Sequence, residues 1–140
     1  IRHEIPWAQR AAGASLKHDI SVPIGRIDEF LRRADALVLG MLPQARLVAF
    51  GHVGDGNLHY NISQPEGADP VAFRADGEAA SEAVYELVHE LGGSFSAEHG
   101  VGVLKKAYLR RYRSATEIEL MQALKRALDP QNTLNPGKVI

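Results

Sequence analysis

Arg46-Leu47-Val48-Ala49-Phe50-Gly51-His52-Val53-Gly54-Asp55-Gly56-Asn57-Leu58-His59-Tyr60-Asn61-Ile62-Ser63 holds two strand-like runs, Arg46 to His52 and Leu58 to Ser63. Val53 to Asn57 joins them, and its Asp55-Gly56 pair favours a tight reversal, so the stretch reads as a β-hairpin. Strict alternation on the second strand puts Leu58, Tyr60 and Ile62 on one face and His59, Asn61 and Ser63 on the other. His52 shares the phase of Val48 and Phe50, which leaves its direction open.

Working outward, Ile27, Phe30, Leu31, Ala34, Leu37, Val38 and Met41 recur at helical spacing before the hairpin, with Arg32, Arg33 and Asp35 on the opposite side. Upstream of that helix, Lys17 to Val22 alternates, with Lys17, Asp19 and Ser21 on one face and His18, Ile20 and Val22 on the other; Pro23 ends the run. Downstream of the hairpin, Asp69 is an N-cap with Pro70 at the first helical position. A stripe of Ala80, Ala83, Val84, Leu87, Val88 and Leu91 then runs to Gly92-Gly93. A short strand at Ser94 to Ala97 follows. The order is β-α-β-β-α-β, the ferredoxin-like arrangement of the α+β class, in which two helices cover one face of an antiparallel sheet. C-terminal helices complete the chain: one near Lys105 to Tyr112, and one opened by a capping box at Ser114-Ala115-Thr116-Glu117, with Ile118, Met121, Leu124 and Leu128 inside. Asp129-Pro130 ends it.

At 140 residues, 45% hydrophobic and 24% charged, the chain suits one globular domain, 1–140. Sixteen basic against seventeen acidic residues give a formal charge of −1, so no broad field gathers nucleic acid or an anionic membrane. The absence of cysteine excludes disulfides and thiolate sites, leaving His and carboxylate as the strong metal ligands. No apolar run approaches the roughly 20 residues of a membrane-spanning helix. A cytoplasmic protein is the default, with peripheral membrane association of a longer enzyme compatible. The start on Ile1 leads us to expect a piece of a longer protein.

Chemistry concentrates in two places. His52 and His59 flank the glycine-rich reversal, and Ser96-Ala97-Glu98-His99-Gly100-Val101-Gly102 stands where the last strand should end. Two imidazoles and a carboxylate form a common nitrogen-and-oxygen site for a divalent ion, with positions left for substrate; zinc is the first expectation, and manganese or iron(II) also suit. Asn61 lies on the face of His59. His3, His18 and His89 have no such company and read as ordinary surface or cap residues.

The motifs GHxGDGNLHxN at Gly51 to Asn61, SxEHGxG at Ser96 to Gly102, and the closing Leu134-Asn135-Pro136-Gly137-Lys138 resemble the C-terminal domain of FAD-linked oxidases and dehydrogenases of the vanillyl-alcohol oxidase superfamily. That family includes D-2-hydroxyglutarate dehydrogenase, D-lactate dehydrogenases and the flavin subunit of glycolate oxidase. The resemblance runs over essentially the whole chain. It implies that His52, His59 and Glu98 bind a divalent metal, that Asn61 and His99 face the substrate with His99 as base, and that Arg2 and Lys17 hold a substrate carboxylate. It places Asn135 and Lys138 near the flavin. Pro6 departs from the pattern, because members specific for hydroxyglutarate carry a hydroxyl residue there.

The activity so implied is oxidation of a D-2-hydroxy acid to the 2-oxo acid, with the metal polarising the hydroxyl and FAD taking the hydride. No dinucleotide-binding fingerprint follows a strand here, and the resemblance implies that FAD sits mainly on an N-terminal domain outside this chain, so the chain alone is expected to be inactive. The implied partners are a small 2-hydroxy acid, that FAD domain and an electron acceptor such as a flavoprotein, cytochrome or quinone. No nucleic acid is among them; a homodimer is compatible. Two other readings stand beside this one: a metal-dependent hydrolase with His99 as base, and a ferredoxin-like ligand-binding module.

Overall fold

The computed structural model describes residues 13–140 together with Glu4; Arg2 and Pro6 therefore lie outside the described residues. The chain divides after Glu98 into two compact units.

In the first unit, β1 (Ser15–Ser21), β2 (Arg46–His52) and β3 (Asn57–Ser63) form an antiparallel sheet of order β1-β3-β2, with α1 (Ile27–Met41) linking β1 to β2. The hairpin register pairs Phe50 with His59 and His52 with Asn57, and β1 adds Asp19 opposite His59 and Lys17 opposite Asn61. At the reversal, a 3-10 turn over Val53–Asp55 ends on Gly56 at φ 71°. A β-carbon there would stand 2.0 Å from the carbonyl oxygen of Val22, so only glycine fits both the backbone conformation and the close approach. The Gly56 carbonyl accepts from the Val22 amide at 3.0 Å, pinning the hairpin tip to the end of β1.

One sheet face is the core. Ile20, Tyr60 and Ile62 are fully buried beneath Phe30, Ala34 and Val38 of α1 and Val84 and Val88 of α3 (Glu78–Glu90). Burial of side chains of this size stabilises a fold by about 1.5–3 kcal/mol each. The Phe30 and Tyr60 rings meet edge to face at 5.5 Å, and the Tyr60 hydroxyl donates to Asp35 at 2.9 Å. Burial, then that bond, holds the Tyr60 phenol well above its ordinary pKa. His18 proves to be a core residue, with Nδ1 2.8 Å from the Tyr60 carbonyl and its ring against Tyr85.

Two sequence expectations change here. The helical region after Asp69 is two helices, α2 (Pro70–Asp76) and α3, joined at Gly77, where a β-carbon would fall 2.2 Å from Leu16 Cδ1. The Asp69 cap holds, accepting from the amides of Val71 and Ala72. The strand expected at Ser94 to Ala97 shrinks to a single bridge between Ser94 and Ser21. Beyond it the amides of Ala97 and Glu98 turn to the Asp19 carboxylate, at 3.2 and 2.9 Å, instead of extending a ladder. The bridge still places this segment beside β1, as the ferredoxin-like order requires.

The second unit carries α4 (Lys106–Tyr112) and α5 (Ala115–Leu128). The capping box forms as expected: the Glu117 amide donates to Ser114 Oγ at 3.2 Å, and the Ser114 amide donates to Glu117 at 2.9 Å. The expected buried stripe on α5 does not. None of its residues is buried, and Leu120, Leu124 and Leu128 are more than half exposed. A helical period specifies an apolar face, not what covers it. After α5, Asp129 accepts from the Thr133 and Leu134 amides, each at 2.9 Å, and pairs with Lys125. The Lys125 ammonium, aided by those amides, holds the Asp129 carboxyl well below the usual carboxylate range.

Candidate metal centre

The sheet face opposite the core is polar because the strand period of two sends Lys17, Asp19, His59 and Asn61 to one side. The register resolves the direction of His52: it lies opposite Asn57, whose side-chain oxygen is 3.2 Å from His52 Nδ1. Phe50 packs its ring 5.0 Å from that of His59, supplying a flat apolar wall.

Glu98, carried past the Ser94 bridge, meets both histidines. Its Oε1 is 2.7 Å from His52 Nδ1 and its Oε2 is 3.2 Å from His59 Nε2. Atoms bound about 2.0–2.2 Å from a common ion lie roughly 3.0–3.4 Å from one another, so the 3.2 Å separation of His59 and Glu98 suits a coordination edge, while the 2.7 Å contact of His52 with Glu98 is a hydrogen-bond distance. Ligand atoms of Asp19, His59 and Glu98 all fall within 4.8 Å of each other. The His59 side chain is 14% exposed while those of His52 and Glu98 are 36% and 42% exposed, so the site has a buried floor and an accessible rim. The donor set, two imidazoles and carboxylate oxygens without thiolate, fits a divalent ion of the zinc, manganese or iron(II) kind.

Asn61 is buried beside His59 on β3, and Lys17, its partner on β1, is exposed. His99 follows Glu98 directly and opens the second unit, with an exposed side chain. Within that unit, Asn135 and Lys138 line a cavity of about 410 Å³ with Gly102, Lys125 and Leu134. Asp19 is the residue that sequence reasoning passed over. Its signal was phase: in antiparallel register it must fall beside His59.

The chain matches the family described as FAD linked oxidases, C-terminal domain, over residues 1–139. It belongs to that family. Relatives of this FAD-linked oxidase domain include a D-2-hydroxyglutarate dehydrogenase of Stutzerimonas stutzeri, 46% identical over 123 residues, which covers 88% of the chain and 26% of the relative. The mitochondrial D-2-hydroxyglutarate dehydrogenase of Arabidopsis thaliana is 39% identical over the full chain and 24% of its own length. A D-2-hydroxyglutarate–pyruvate transhydrogenase of Saccharomyces cerevisiae is 34% identical across 99% of the chain and 28% of its own length. The chain thus spans about a quarter of the length of the curated relatives it matches. Among the described residues, no helix is long and apolar enough to cross a membrane.

Proposed function

We propose that this chain is the substrate- and metal-binding part of an FAD-dependent dehydrogenase that oxidises a D-2-hydroxy acid to the 2-oxo acid. The observation that carries this reading is the convergence of His52 Nδ1 and His59 Nε2 on the two oxygens of Glu98 in a domain of the FAD-linked oxidase family. The names of the relatives put D-2-hydroxyglutarate first among substrates. D-lactate and glycolate are the smaller acids to test beside it, because Pro6 replaces the hydroxyl residue expected for hydroxyglutarate.

Each residue has a defined task in such a reaction. His52, His59 and Glu98 would hold a divalent ion, zinc first, with the rim open to substrate. When bound, that ion supplies Lewis acidity toward the substrate hydroxyl, and FAD, held mainly by an adjoining N-terminal domain, supplies the hydride acceptor. His99, next to Glu98 in the chain, takes the hydroxyl proton as general base. Lys17 and Arg2 grip the carboxylate, which fixes the α-hydrogen in one orientation; the Arg2 guanidinium can do so with two parallel hydrogen bonds. Asn61, on the strand of His59, orients the substrate from the sheet floor. Asn135 and Lys138 contact the flavin from the second unit. The exposed Leu120, Leu124 and Leu128 of α5 give an FAD domain an apolar surface to cover. Reoxidation of the flavin then falls to an electron acceptor of the flavoprotein, cytochrome or quinone kind.

Metal analysis by mass spectrometry, on the purified chain and on His52→Ala, His59→Ala and Glu98→Ala, tests the site. Near-stoichiometric metal in the parent that is lost in each variant is expected. A parent that stays metal-free after reconstitution with zinc, manganese and iron(II) would overturn the metal reading.

A further inference from the structure

Asp19 is 3% exposed, and such a carboxylate survives burial only if its lone pairs are matched by donors. Oδ2 accepts the Ala97 amide at 3.2 Å and the Glu98 amide at 2.9 Å. Oδ1 accepts the side-chain amide of Asn57 at 3.2 Å and faces Nδ1 of His59 at 3.6 Å. Asn57 turns its other end, Oδ1, to His52 Nδ1 at 3.2 Å. One buried carboxylate thereby reaches two residues of the candidate metal centre, Glu98 through its own amide and His59 through the ring nitrogen remote from Glu98, and it also holds Asn57, which lies beside His52.

We infer that Asp19 is a positioning residue for the metal centre rather than a ligand in it. The inference rests on the metal reading above. Three N–H donors take three of about four lone-pair directions, and the fourth faces Nδ1 of His59, the ring nitrogen remote from Glu98, so none is turned toward an ion held between His59 Nε2 and Glu98. An acceptor facing Nδ1 of His59 favours the tautomer with hydrogen on Nδ1, so the Nε2 lone pair is the one presented on the Glu98 side. The 3.6 Å separation is longer than a hydrogen bond, and metal binding at Nε2, by making Nδ1–H a stronger donor, shortens it. The Ser96 amide, next in a ladder beyond the Ser94 bridge, donates to Ser94 Oγ at 3.4 Å, and the Glu98 amide donates to Asp19, so the strand ends at Ser94 and Glu98 is anchored at the polar face.

The test compares the parent chain with Asp19→Asn and Tyr60→Phe. Asp19→Asn keeps the volume but sets a donor where an acceptor stood. Tyr60→Phe costs stability on the opposite face of the sheet and reports what general destabilisation does. Zinc affinity measured against a competing chelator should fall about 10–100-fold in Asp19→Asn, the usual cost of losing such an outer partner, and stay within about threefold in Tyr60→Phe. X-ray absorption on the zinc-loaded proteins should give the same number of donor atoms in the parent and Asp19→Asn. Nitrogen NMR should show His59 bound to zinc through Nε2 with hydrogen on Nδ1 in the parent. Unchanged affinity in Asp19→Asn, binding through Nδ1, or the loss of one oxygen donor would each overturn the positioning role. A parent that binds no zinc, manganese or iron(II) would instead sink the metal reading, and this inference with it.

Discussion

Replacing Gly56 by alanine isolates the device that ties the hairpin tip to β1. Gly56 sits at φ 71°, and a β-carbon would stand 2.0 Å from the Val22 carbonyl oxygen. The left-handed conformation costs a residue with a β-carbon about 1–2 kcal/mol. Relieving the overlap by backbone movement costs about 1–3 kcal/mol more. The bond from the Val22 amide to the Gly56 carbonyl, broken by that movement, is worth about 0.5–1.5 kcal/mol. The terms together come to about 2.5–6.5 kcal/mol, which for a chain of this size lowers the midpoint of unfolding by roughly 8–20 °C. Gly54→Ala, two residues earlier, is the control: its β-carbon meets nothing within 4 Å, so a change within about 0.5 kcal/mol is expected. Thermal unfolding followed by circular dichroism measures both. A Gly56→Ala midpoint within about 3 °C of the Gly54→Ala value would refute the steric argument.

Tyr60→Phe should remove an alkaline loss of stability. Because the folded state holds the Tyr60 phenol above its ordinary pKa, the unfolded chain ionises first, near pH 10, and stability declines from there as pH rises. The slope approaches about 1.4 kcal/mol per pH unit, and urea unfolding between pH 9 and 11 in parent and variant measures it, those pH values being roughly one unit either side of the free phenol. Asp129→Asn should loosen the turn into Asn135 at neutral pH. In the parent, the depressed carboxyl means the turn is held above roughly pH 4 and released as pH falls through the lowered value. Hydrogen exchange at the Leu134 amide, slow in the parent and faster in the variant, reads that lock.

The hairpin was legible because its alternation and Asp55-Gly56 signal are local, and α1 because one stripe of apolar residues suffices to define it. His52 could not be oriented from its own strand. Its phase matched Val48 and Phe50, and only pairing with Asn57 shows that this phase is the polar face. Gly77 divides α2 from α3 through a close approach of Leu16, a contact between segments far apart in sequence. Ser94 to Ala97 has strand composition, but the Ser96 amide is taken by Ser94 Oγ and those of Ala97 and Glu98 by the Asp19 carboxylate on β1, a partner far away in sequence. Asp19 itself escaped notice since an aspartate on a polar strand face looks solvated until burial is known. On α5 the helical period defines an apolar stripe, but what covers it depends on segments that the period does not encode. Arg2 and Pro6 lie outside the described residues, so their roles rest on the resemblance alone.

The most direct test is anaerobic mixing of D-2-hydroxyglutarate with this chain joined to the FAD domain that the proposal assigns to it, before and after metal removal by chelation. The account predicts rapid bleaching of the flavin in the metal-loaded protein, a loss of at least about 100-fold after stripping, and recovery when zinc or manganese is restored. Bleaching at an unchanged rate in the stripped protein, or none with D-2-hydroxyglutarate, D-lactate or glycolate under any metal condition, would contradict it.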